Sequence, residues 1–99
     1  MNTSVLNHAI ICLKQRDLDN LSIVLSGLFE SDPDLPQYHL ILGIYHELTH
    51  HDALAMRHYR AALALDGTYT PAINNLYRLG DGKHSPIDYG DGKGKPWNL

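Results

Sequence analysis

The stretch Leu42-Gly43-Ile44-Tyr45-His46-Glu47-Leu48-Thr49-His50-His51-Asp52-Ala53-Leu54-Ala55-Met56-Arg57-His58-Tyr59-Arg60-Ala61-Ala62-Leu63-Ala64-Leu65-Asp66 contains two apolar patterns and one interruption. From Gln37 to Leu48, Leu40, Ile41, Ile44, Tyr45 and Leu48 recur at three and four residues, the spacing of one helix face. His50-His51-Asp52 breaks that pattern. From Ala53 to Leu65 the chain is rich in alanine and leucine, which lose least on entering a helix, and Asp66-Gly67 ends the segment. Two antiparallel helices joined by a short turn are therefore expected.

The flanks repeat the theme. Val5, Leu6, Ala9, Ile10, Cys12 and Leu13 outline a first helix, with Ser4 placed to cap it, and Arg16-Asp17 interrupts it. Leu18, Leu21, Val24, Leu25, Leu28 and Phe29 outline a second, ending at Ser31-Asp32-Pro33 because Pro33 disfavours helical angles at Asp32. A fifth, short helix is expected over about Pro71–Leu79, with Ile73, Leu76 and Tyr77 on its apolar side and Gly80 closing it.

Shifting the chain by 34 residues superposes these features, and a period of that length is the mark of helix-turn-helix arrays. Arg16-Asp17 falls on His50-His51, Asp32-Pro33 on Asp66-Gly67, Leu6 on Leu40, Ala9 on Gly43, Ile10 on Ile44, Leu25 on Tyr59 and Phe29 on Leu63. Two unrelated hairpins of like length are the alternative, since hairpins are common in all-helical domains.

At Leu42-Gly43, Ala55, Tyr59, Ala62-Leu63, Leu65 and Asp66 the chain resembles the tetratricopeptide-repeat family. His46, Gly67, Leu21 and Leu28 depart from it, standing where the family prefers Tyr, Pro, Ala and Ala. The resemblance implies an all-α, right-handed superhelical stack over residues 1–79: repeats at about 2–35 and 36–69, a capping helix over 70–79, and a flexible Gly- and Pro-containing tail over 80–99. It also implies a binding function, in a groove lined by the first helix of each hairpin. By position those residues are Thr3, Leu6, Ile10, Leu13, Gln37, Leu40, Ile44 and Leu48. Leu6, Ile10, Ile41 and Pro71 stand where repeat proteins that hold acidic chaperone tails place their carboxylate-binding residues, so that ligand class is disfavoured. An apolar groove suits an amphipathic helix or peptide, and small repeat proteins of this size resemble the chaperones of bacterial type III secretion. Self-association, or cover by the tail and Trp97, would bury the same leucines.

Composition excludes other classes. The 99 residues suffice for one domain, and 43% hydrophobic with 19% charged residues is ordinary for a globular chain. Eight Lys and Arg against eleven Asp and Glu, a formal charge of -3, argue against nucleic acid. No run approaches the roughly 20 apolar residues of a membrane helix, and the N-terminus does not read as a signal peptide. The lone Cys12 lies in an apolar run and fits a buried thiol in a reducing compartment. A cytoplasmic location and no cofactor are expected.

One motif points elsewhere. His46-Glu47-Leu48-Thr49-His50 matches the zinc-peptidase pattern HExxH, in which two histidines one turn apart hold the metal and the glutamate activates water. That pattern needs a helix running through His50 and a third ligand. Ala53 and Met56 break its extended form, no glutamate follows Glu47, and His58, Asp52 or His84 could complete it only by an unusual route. The non-enzymatic reading is therefore preferred, with a small zinc peptidase or zinc-binding protein as the alternative. The repeated Gly80-Asp81-Gly82-Lys83 and Gly90-Asp91-Gly92-Lys93 lack phosphate-loop spacing.

Overall fold

A computed structural model describes residues 3–31, 34–82 and 85–91. Within them the chain is all-helical: α1 (Thr3–Gln15), α2 (Leu18–Ser31), α3 (Pro36–Leu48), α4 (Asp52–Leu65) and α5 (Thr70–Gly80). The helices form two hairpins, α1–α2 and α3–α4, stacked side by side, and α5 packs on α4. Pro36 and Pro71 stand in the first turns of α3 and α5, where a missing N–H costs no helical bond. Ser4 lies inside α1 rather than before it, and the Thr3 side chain, Asp32-Pro33, His84 and Trp97 lie outside the described residues.

The 34-residue period recurs in the geometry of the two hairpin turns. Arg16 and His50, whose numbers differ by 34, are the two non-glycine residues with positive φ among the described residues, at 57° and 65°. After α1 the Asp17 N–H donates to Cys12 O at 2.9 Å and the Arg16 N–H to Leu13 O at 3.2 Å. After α3 the His51 N–H donates to His46 O at 2.7 Å and the His50 N–H to Glu47 O at 3.1 Å. Both turns are thus the same left-handed closure, in which two amides satisfy the last carbonyls of the helix. Asp17 also caps α2, its carboxylate accepting from the Asn20 backbone N–H at 3.4 Å and side-chain amide at 2.7 Å.

The two hairpins differ in how closely their neighbours approach. In the second, Gly43, Ala55 and Ala62 leave room for Tyr59, which is fully buried. A Cβ on Gly43 would lie 2.7 Å from Tyr59 Cδ1, so only glycine admits the ring. In the first, Leu21 and Leu28 stand at the equivalent positions and are buried in the core. α2 consequently stands off from α3. A cleft of about 340 Å³ opens between them, lined by Leu18, Leu21, Leu25, Phe29, Tyr38, Leu42 and Tyr45. Phe29, expected at a packing position, stays half exposed and meets only the rim, 5.4 Å from the Tyr38 ring.

The inner face of α5 is a correction to the sequence reading. Pro71, Ala72, Asn75 and Arg78 are buried, whereas Tyr77 is 73% exposed. Of the residues at apolar spacing, Leu76 does pack against the core, but Tyr77 does not, and Asn75 and Arg78 take inner positions because α3 and the segment after α5 supply partners for them.

Candidate functional site

Two arrangements meet on the face shared by α1, α3 and α5. The first is a sealed polar centre. Glu47, from the last turn of α3, accepts a hydrogen bond from Tyr59 Oη of α4 at 2.8 Å and an ion pair from Arg78 Nη2 of α5. The Arg78 and Glu47 side chains are 4 and 3% exposed. Burial, then the neighbouring Glu47 charge, pushes the Tyr59 hydroxyl far above its usual range. One carboxylate therefore ties three helices together.

This centre decides how the HExxH residues are used. The catalytic pattern asks Glu47 to face water and His46 and His50 to lie on successive turns of one helix. Instead Glu47 is committed to Tyr59 and Arg78, α3 ends at Leu48, and His50 has φ 65°. The two histidines do not share a helix, and no group of three His, Cys, Asp or Glu able to hold a metal occurs among the described residues.

His46 belongs to a different cluster. Its ring stacks on that of His58 of α4, centroids 5.2 Å apart, and His58 stacks on His39 at 5.5 Å. His39 Nδ1 and His58 Nδ1 lie 3.3 Å apart, so one donates to the other when both rings are neutral. His51 stands edge-on to His46 at 6.1 Å. Burial lowers the pKa of His39, His46 and His58; the adjacent imidazoles lower those of His46 and His58 further, while Asp34 partly offsets the effect at His39.

The second arrangement is a crossing segment. Residues 87–91, placed by the sequence in the tail, return over the helices. Asn75 donates from Nδ2 to Asp88 O at 2.9 Å and accepts at Oδ1 from the Asp88 N–H at 2.8 Å. Asn74 Nδ2 donates to Asp88 Oδ2 at 2.8 Å, and Asp88 Oδ1 accepts from the Gly90 N–H at 2.9 Å. Gly90 has φ 77° and lies so close to α3 that a Cβ would stand 2.9 Å from Leu40 Cδ2. Asp91 then reaches α1, 2.7 Å from Lys14 Nζ, which also lies 5.0 Å from the Tyr89 ring centroid. Burial and the Asp88 charge raise the Tyr69 hydroxyl beside this crossing to about 12.

The expected groove residues divide accordingly. Leu6, Ile10, Gln37 and Leu40 line a pocket of about 190 Å³, together with Asn7, Ile41, Tyr69, Tyr89 and Gly90. Leu13 and Ile44 are fully buried in the core and do not line this pocket. Leu48 is half-buried against the core and does not line this pocket. The side chain of Thr3 is outside the described residues. Asn75, Arg78 and Asp88 escaped the sequence reading. Their signal was two adjacent asparagines on a short helix otherwise treated as apolar.

No family model, curated protein or solved structure matches the chain. No helix among the described residues is long and apolar enough to cross a membrane.

Proposed function

We propose that this chain is a non-enzymatic interaction module that binds a segment of another protein on the face shared by α1, α3 and α5. The carrying observation is the pocket where Leu6, Ile10 and Leu40 line one side and Gln37 presents a buried Oε1 with no hydrogen-bond donor among the described residues. Buried acceptors are nearly always satisfied, so an N–H supplied from outside the chain would complete this one. The tetratricopeptide resemblance supports the same face and the right-handed stack, and it keeps a bacterial secretion chaperone or co-chaperone as the finer reading. The commitment of Glu47 to Arg78 and Tyr59 weighs against the peptidase alternative.

The test changes a rim residue. Leu40 and Ile44 are too buried for charge substitution to report on binding alone. Ile10→Asp, at a half-buried position, should abolish capture of the natural partner from the protein's own cells while helical content stays within a few per cent. Equal capture by Ile10→Asp and the unaltered protein would remove this face from consideration. A single small helical partner would favour the secretion-chaperone reading, and several large ones a general adaptor.

A further inference from the structure

Resting on that reading, we infer that this face recognises an extended segment of the type Asp-aromatic-Gly-acidic, and that residues 87–91 are its resident, displaceable occupant. The first argument is the kind of contact made. Asn75 pairs with both the N–H and the C=O of Asp88, the way one extended strand reads another, and a helix could offer neither group because its own ladder uses them.

The second argument is that each residue of the segment meets a separate fixture. The Asp88 carboxylate meets Asn74, Gly90 holds a positive φ over Leu40 where a Cβ would force the Leu40 methyl aside, and the Asp91 carboxylate meets Lys14. Between them Tyr89 is half-buried and forms a wall of the pocket that contains Gln37. The fixtures come from α5, α3 and α1 in turn, so the segment traverses all three helices of the face.

The third argument is that the occupancy is incomplete. The Gln37 Oε1 has no donor among the described residues, and space of about 190 Å³ remains beside Tyr89. Lys14 is 39% exposed at its end of the crossing, where water weakens the ion pair. A partner with the same Asp-aromatic-Gly-acidic order and a further N–H for Gln37 would replace the resident segment from that end. Its apparent affinity is reduced by the fraction of molecules in which the segment is seated.

The experiment uses the full chain and a synthetic peptide spanning residues 85–91, Ser-Pro-Ile-Asp-Tyr-Gly-Asp. Gly90→Val expels the resident segment chiefly by strain at positive φ; Asp88→Ala combined with Asp91→Ala, changes in the segment itself that leave Lys14 and Asn74 intact for the peptide, loosens it more gently. Binding is read by peptide anisotropy and by the Asn75 side-chain amide resonances, with circular dichroism as the fold control. Expected is at least roughly tenfold tighter binding to the released variants than to the unaltered protein, shifted Asn75 amides, and loss of binding when the peptide's Asp or Tyr is replaced by Ala. Unfolding of both released variants would make the segment part of the core and overturn the inference, as would folded variants that ignore the peptide. Tighter binding of an amphipathic helical peptide would also overturn it, yet leave the protein-binding reading standing. Failure of that broader reading shows separately, in the Ile10→Asp capture experiment.

Discussion

The Glu47 carboxylate of α3 and the Arg78 guanidinium of α5 form an ion pair closed off from solvent, 31 residues apart in the chain. Its energetic logic is asymmetric. A buried pair contributes little net stability over an apolar substitute, but removing one partner leaves an uncompensated charge that costs about 3–5 kcal/mol. Small domains have only about 5–15 kcal/mol in total. Glu47→Gln should therefore lower the urea midpoint severely, and Tyr59→Phe, which removes one hydrogen bond to the same carboxylate, should cost less, about 1.5–3 kcal/mol. A Glu47→Gln protein with an unchanged midpoint would show that the glutamate is free for another task.

Gly43 and Tyr59 occupy space that only one of them can fill. The ring cannot retreat, because its hydroxyl is held by Glu47 and its edge lies on the glycine. Gly43→Ala replaces glycine by the best helix former, which alone would stabilise by about 1 kcal/mol. Overpacking here opposes that with about 1–3 kcal/mol. The expected net result is destabilisation, and Gly43→Ala combined with Tyr59→Leu should recover part of it in thermal melts.

The two turns lead to an opposite expectation. Arg16 and His50 hold left-handed angles in which a Cβ costs roughly 1 kcal/mol, and glycine is free of that cost. His50→Gly should raise the melting temperature, and Arg16→Gly should do likewise, less the bonds from Arg16 Nη1 to the Leu13 and Lys14 carbonyls. Both changes should leave partner binding intact. A loss of binding in His50→Gly would restore a functional part to that histidine.

Helix number, helix bounds and the 34-residue period were legible because they rest on local patterns: apolar spacing, alanine content and proline position. Gly43 beside Tyr59 was legible too, since small and large residues recur at the repeat's spacing. What escaped depends on distant partners. Asn75 and Arg78 carry no signal of their own on a short helix until Asp88 and Glu47, 13 and 31 residues away, are brought against them. Tyr77 shares the helical spacing of Ile73 and Leu76 yet is exposed, because spacing alone cannot tell which face of an amphipathic helix has partners. Leu6, Ile10, Gln37 and Leu40, grouped by helix order, do line one pocket. The segment beside it carries glycines and a proline, a composition that hides the specific pairing of Asp88 with Asn75.

The histidine row between α3 and α4 sets the behaviour toward acid. His39, His58 and His46 stack in sequence, with His51 at one end and Asp34 as the neighbouring carboxylate at the other. Folding lowers the proton affinity of His39, His46 and His58, chiefly through burial, so the unfolded chain binds more protons than the folded one at mildly acidic pH. Stability is then full above the ordinary histidine pKa of about 6.5 and falls as pH drops through that value toward the lowered folded values. The contact of His39 Nδ1 with His58 Nδ1 sharpens the effect, since protonating both nitrogens sets two N–H groups against each other at 3.3 Å. Urea midpoints should be constant between pH 8 and 7 and decline steadily from about pH 6.5 to 5. His58→Gln, which removes the central ring, should flatten that decline more than His8→Gln, a change at an exposed position outside the row. An equal acid slope in both variants would place the proton uptake elsewhere in the chain.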